Sequence, residues 1–211
     1  MNASVRVKIC GLTNREDALA AIDAGADALG FNLFSGSKRH LLLEDLIPWL
    51  PTLGGHALRV AVMVNPSIEE LLRARPLFDV IQLHGHETAA FCARAAATGT
   101  LWKAFPLTAD LTAAAVAPFQ AHSLLIDSSV PGAFGGTGAL IDLRRAALFV
   151  SDSVDRPVWL SGGLHPGNVA EAIEKVRPFG VDAATGVEVP GNPRRKDFAR
   201  IRAFVASARA A

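Results

Sequence analysis

The run Val5-Arg-Val-Lys-Ile-Cys10 alternates apolar and cationic residues and ends on a thiol, with Gly11, Thr13 and Asn14 close behind. A cysteine in a core is usually a small hydrophobe. One at the C-terminal tip of a strand, beside a glycine turn, is placed to abstract a proton if its pKa falls from the ordinary ~8.5. A second apolar run, Ser123–Asp127, ends on a carboxylic acid. Partial burial raises such a group's pKa and lets it protonate a leaving oxygen. Core packing for Cys10 and a capping role for Asp127 are the plain structural alternatives. Cys92 sits inside "AAFCARAAA" and reads as helix core.

Three glycine-rich turns come next: "GGTG" with Gly136 and Gly138, "SGG" with Gly162 and Gly163, and Thr185-Gly186. Exposed backbone N–H groups in such turns, next to a helix N-terminus, form a nest for an anion. Each glycine alone could merely permit a tight turn. Their recurrence at the ends of successive strands favours phosphate. Arg39 lies in the polar loop "FSGSKRH", where a guanidinium could grip a carboxylate with two parallel hydrogen bonds or simply be solvated. His84 and His86 in "LHGHE" could share one face of a strand and a metal ion. Gly85 marks a turn between them and no third ligand is evident, so no metal site is expected.

These residues need a scaffold that gathers strand ends. Eight β-rich runs recur: Val5–Cys10, Ala28–Leu33, Leu58–Val64, Val80–Leu83, Leu101–Phe105, Ser123–Asp127, Val158–Ser161 and Val181–Thr185. Several are almost continuously apolar, as in strands buried on both faces of a parallel sheet. Helical stretches lie between them, among them "NREDALAAIDAG" with Asn14 as N-cap and Gly25 as stop, and "NPSIEELLRARP". "HETAAFCARAAATG", "HPGNVAEAIEKVRP", Leu111–Ala121 and a closing amphipathic "RRKDFARIRAFVASARA" read the same way. The pattern predicts a (β/α)8 TIM barrel built as one domain over residues 1–211, with a doubly wound open sheet as rival and seven strands as a possible count. In the barrel, the polar residues after the strands share one face.

The chain carries a formal net charge of +1 and is 50% apolar, so it can bury a large core and needs no polyanion partner. "NPRRKD" is too short for a nucleic-acid footprint. The two separated cysteines, the lack of a leader and the lack of an apolar run near ~18 residues predict a cytoplasmic protein that engages neither nucleic acid nor membrane.

Taken in order, "KICGLTN", "GFNLFSGSKRH", "VAVMVN", "IQLHGHE", "LLIDSS…GAFGGTG", "LSGGLHPGNVAEAI" and "GVDAATGVEVPGNPRRKD" resemble the successive motifs of the phosphoribosylanthranilate isomerases of tryptophan biosynthesis. The resemblance implies a cofactor-free (β/α)8 barrel, monomeric or homodimeric. Its reaction would be an Amadori rearrangement of N-(5-phosphoribosyl)anthranilate to 1-(2-carboxyphenylamino)-1-deoxyribulose 5-phosphate. It places the general base on Cys10, the general acid on Asp127 and the carboxylate-binding arginine on Arg39. Phosphate-binding backbone falls on the turns at Gly136–Gly138, Gly162-Gly163 and Thr185-Gly186, and His84 joins the substrate-binding set.

Departures from the pattern are Ala184-Thr185 where serines are usual, His40 after the arginine, His86, and the longer turn "PGNPRRKD", taken as a surface insertion. Rival readings keep the barrel and change the reaction. An epimerase would need a metal cluster. An indole-glycerol-phosphate synthase would need an inward lysine such as Lys103 or Lys8. A barrel that binds phosphosugars without catalysis is a third.

Overall fold

The computed structural model describes residues 4–128, 140–153 and 155–211. Eight parallel strands follow one another around a closed barrel: β1 (Arg6–Cys10), β2 (Ala28–Asn32), β3 (Leu58–Met63), β4 (Val80–Leu83), β5 (Leu101–Pro106), β6 (Ser123–Asp127), β7 (Val158–Leu160) and β8 (Gly180–Ala183). β1 pairs with both β2 and β8, which closes the ring and excludes the open sheet and the count of seven. All eight apolar runs are strands, their ends shifted by at most two residues.

The helices are α1 (Arg15–Asp23), α2 (Leu43–Leu46), α3 (Ile68–Ala74), α4 (Ala89–Ala96), α5 (Ala113–Val116), α6 (Leu143–Asp152), α7 (Val169–Val176) and α8 (Phe198–Ala210). Asn14 caps α1 by accepting from Asp17 N, and Gly25, at φ +92°, ends that segment. Ser67 and Glu70 cap α3 reciprocally. The expected helix over Leu111–Ala121 shortens to α5. Pro118 lies just past α5 and cannot donate to a helical ladder.

The C-terminal segment also differs from expectation. Residues Asn192–Lys196 form strand β10, antiparallel to β9 (Glu188–Val189), and α8 begins only after Asp197, whose carboxylate accepts from Ala199 N and Arg200 N. The sequence reading did not include α2, a single short turn without a side-chain cap, or α6, which Asp142 caps by accepting from Arg144 N and Arg145 N and which buries Ala146 and Phe149.

Strand parity sorts the side chains. Ala28, Val60, Val80, Trp102, Ala104, Leu125 and Trp159 fill the barrel interior. The alternate residues, such as Val7, Ile9, Leu29, Phe31, Ile81 and Leu124, belong to the larger core shared with the helices. Toward the N-terminal end, Trp102 and Trp159 stack at 4.6 Å between ring centroids. A Cβ on Gly180 would come within 2.5 Å of the Trp159 ring, so glycine is required there for the indole to fit. The same parity carried up the strands points Lys8 and Cys10, Gly30, Gln82, Asp127 and Asp182 inward.

Candidate active site

Cys10 ends β1 and is half-buried. Its sulfur lies over Gly30 of β2, where a Cβ would come within 2.6 Å of Sγ. Gly11 follows at φ +73°, a conformation that suits glycine, and the Arg39 side chain passes directly over it. The turn therefore does two things: it ends the strand beneath the thiol and makes room for the arginine.

Below Cys10, Lys8 is fully buried and its Nζ donates to Asp182 Oδ2 at 3.0 Å. Burial pushes the Cys10 thiol up from its ordinary pKa; Lys8 pulls hardest in the other direction, Asp182 adds to the rise, and Lys196 also favours the thiolate. Burial by itself would lower the Lys8 pKa, but Asp182 and Cys10 outweigh it and hold the ammonium charged.

Asp127 ends β6 with 4% of its surface exposed. Its Oδ1 accepts from Ser128 N at 2.8 Å, and its Oδ2 lies 3.5 Å from His84 Nε2. Gln82 Nε2 sits 3.2 Å from His84 Nδ1, so an amide orients the imidazole against the acid. His86 is exposed, its N–H held by Asn65 Oδ1. The two histidines thus diverge across Gly85. Among the described residues no group of three His, Cys, Asp or Glu side chains is arranged to hold a metal ion.

Arg39 is only 7% exposed, which rules out the solvated-surface reading. Its Nε donates to Glu188 Oε1 at 2.5 Å and its Nη2 to Thr185 Oγ1 at 3.0 Å. Glu188 also receives Lys196 Nζ at 3.2 Å, while Lys196 N donates to Asp17 Oδ2 at 2.8 Å. "PGNPRRKD" is therefore more than a surface insertion. Its middle is exposed, but Lys196 is 3% exposed and anchors the β9–β10 hairpin against the site. Arg194 adds a bond from Nη1 to the His40 carbonyl at 2.9 Å.

The glycine turns after β7 and β8 meet beside Asp127. Gly162, at φ +102°, packs so tightly on Ser128 that a Cβ would lie 2.7 Å from its nitrogen. Gly186 packs directly on the Leu164 carbonyl. Together with Ser161, Gly163, Thr185 and Asp182 they line a small bay that includes Asp127. Gly136 and Gly138 lie outside the described residues.

Lys103 does not reach this chamber. It shares parity with Leu101 and Phe105, which belong to the outer core, and its ammonium is taken by Glu87 at 3.1 Å and by the Gly85 and Ala104 carbonyls. The synthase reading loses that lysine. Cys92 is fully buried in α4, and burial pushes its thiol up to about 11.

Sequence reasoning passed over Gly30, Asp182, Glu188 and Lys196. The signal for Asp182 was present: an acid inside the otherwise apolar Gly180–Ala183 strand needs a partner. Glu188 and Lys196 carried no such signal, because only the hairpin brings them to Arg39.

Fold and site together define a (β/α)8 barrel whose polar groups converge at the C-terminal ends of its strands, the place where such barrels keep their chemistry. A family profile described as "N-(5'phosphoribosyl)anthranilate (PRA) isomerase" matches residues 7–207. An N-(5'-phosphoribosyl)anthranilate isomerase of Thiobacillus denitrificans is 43% identical over 98% of this chain and 99% of that protein. One from Geobacter metallireducens is 39% identical over 98% and 100%. The crystal structure of phosphoribosyl anthranilate isomerase from Thermus thermophilus superposes with a TM-score of 0.86 at 35% identity, covering 96% of this chain and 98% of that one. Another phosphoribosyl anthranilate isomerase structure, in complex with reduced 1-(o-carboxyphenylamino)-1-deoxyribulose 5-phosphate, gives 0.83 at 33% identity, covering 98% and 100%. The chain belongs to the N-(5'-phosphoribosyl)anthranilate isomerase family.

Proposed function

We propose that Cys10 is the general base and Asp127 the general acid of the isomerisation, with Arg39 and the turns after β7 and β8 holding the two ends of the substrate. The chain is an isomerase of the aldose–ketose type in tryptophan biosynthesis. Its substrate is N-(5'-phosphoribosyl)anthranilate.

The chemistry follows from the residue types. Asp127 gives a proton to the furanose ring oxygen as the C1–O bond breaks, and the nitrogen lone pair forms C1=N⁺. That cation acidifies the C2 proton. Cys10 takes the proton onto sulfur; the C–H electron pair becomes C1=C2 and the C1=N pair returns to nitrogen. The enolamine then gains a proton at C1 and loses one from the C2 hydroxyl, giving the ketone. The iminium is the electron sink. Each proton transfer is worth about 10²–10⁴-fold.

Supporting groups fit these roles. Ser128 N–H and His84 can stabilise Asp127 as the carboxylate that remains after the first step. The bay beside Asp127 offers glycine backbone to a phosphate, and the Thr185 hydroxyl at its edge links it to Arg39. Glu188 and Thr185 occupy only part of the guanidinium's donor fork, which leaves it chemistry for a carboxylate.

The observation that carries the reading is that Cys10 and Asp127 end β1 and β6 with the same inward parity at the C-terminal end of the barrel, where the glycine bay opens beside Asp127. The test is the loss of anthranilate fluorescence on freshly generated phosphoribosylanthranilate. Cys10→Ala and Asp127→Asn are each expected to lose at least about a hundredfold in kcat. Full turnover by either variant removes that residue from its role.

A further inference from the structure

We propose that Lys8 is a positioning residue for the isomerisation: its ammonium, pinned by Asp182, is the fixed counter-charge against which the Cys10 thiolate forms. The inference rests on the reading of Cys10 as the base.

Lys8 and Cys10 are two apart on β1 and so face the same interior. Lys8 is fully buried, beneath the chamber rather than in it. Asp182 stands opposite on β8 in direct register and takes the ammonium on one carboxylate oxygen. Its other oxygen, Oδ1, is buried and makes no hydrogen bond to protein. A pair kept only for stability would be a poor arrangement, since burying two charges gains little over an apolar pair. An incompletely satisfied one gains less.

The charges around the thiol complete the argument. From its own strand Cys10 faces Lys8, from β8 Asp182, and from β10 Lys196. β2 offers only Gly30, which has no charge. Arg39 and Glu188 continue the network through Lys196. Other buried acids stand nearby: Asp17 accepts from Lys196 N, and Asp127 lines the same bay as Asp182. Lys8 and Lys196 are the cations that face the thiol. Burial opposes its ionisation, and Lys8 is the strongest influence in favour. The lysine keeps its own proton throughout; the C2 proton goes to sulfur.

The experiment measures the thiol itself as well as turnover. In a Cys92→Ala background, which removes the second thiol, the ionisation of Cys10 is followed by thiolate absorbance and by the pH dependence of alkylation with iodoacetamide. The profile of kcat/KM is recorded alongside. Lys8→Met is expected to move both the titration and the acid limb of the rate profile to higher pH. At neutral pH kcat should fall about tenfold or more with KM little changed. Lys8→Arg, which keeps the charge, should restore most of the loss.

If Lys8→Met fails to fold, Lys8→Met/Asp182→Asn removes both charges together. The titration should still move upward there, because the pull of Lys8 on the thiol exceeds the push of Asp182. A titration that stays in place in the variant that folds overturns the inference while leaving Cys10 as base. A Cys10→Ala protein with full turnover overturns both.

Discussion

At the residue scale the site depends on what is missing as much as on what is present. Gly30 holds no chemistry, yet its lack of a side chain leaves the space that the Cys10 sulfur occupies. Gly30→Ala should push Sγ out of position, lowering kcat more than tenfold while KM and the melting temperature change little; steady-state kinetics beside calorimetry would show this. Arg39 tests the opposite end. Lys196 continues to compensate Glu188 when the guanidinium is removed. Arg39→Ala should therefore leave the fold intact and raise KM by about tenfold or more, the loss of a charge-assisted contact. An unchanged KM would take Arg39 out of the substrate site. Cys10 and Asp127 stood out in the sequence as candidates, because reactive side chains at strand ends beside turns do; Arg39 was left open between a carboxylate grip and a solvated surface, and its burial came only from the fold. Gly30 was not, because what it avoids lies on another strand.

At the scale of elements, the strand ends are fixed by side chains that reach across them. Asp27, just before β2, accepts from Val7 N of β1, from Arg6 Nη1 and from Arg209 Nη2 of α8 at 2.6–2.7 Å. Burial would raise its carboxyl, but these donors together hold it below the usual aspartate range. A depressed carboxyl stabilises the fold above its unfolded pKa, and that contribution is lost as pH falls through the lower folded value. Asp27→Asn should cost about 1–3 kcal/mol in urea unfolding at neutral pH. The gap to the native protein should close as pH falls below about 4. A gap that persists in acid would show that the three bonds, and not the charge, hold the ends together. The hairpin β9–β10 makes the complementary point: its sequence reads as helix because "RRKDFARIRAF" is amphipathic, and only the pairing with Glu188–Val189 turns Lys196 into the site.

Across the whole molecule the barrel divides its labour. The C-terminal end carries Cys10, Asp127, Arg39 and the glycine bay, while the N-terminal end carries the Trp102–Trp159 stack. Gly180→Ala should overpack that stack, lowering stability by about 1–3 kcal/mol with kcat and KM near native. A large fall in activity without a fall in melting temperature would contradict the division. Among the described residues no helix is long and apolar enough to cross a membrane.

The sequence by itself carried eight candidate strands, the order of the βα units, a candidate acid and base, and the glycine turns. These are local properties: apolar runs of strand length, caps, and reactive groups beside turns. It also carried enough ordered motifs to imply the family. The tertiary structure alone decided which way each side chain faces and whom it meets. It turned Lys103 out of the chamber and His84 toward Asp127, and it made two buried ion pairs, Lys8 with Asp182 and Lys196 with Glu188. The reason is that Lys8 and Asp182 lie 174 residues apart along the chain. Barrel closure makes β1 and β8 neighbours, and no local pattern in either strand encodes the partner across the seam.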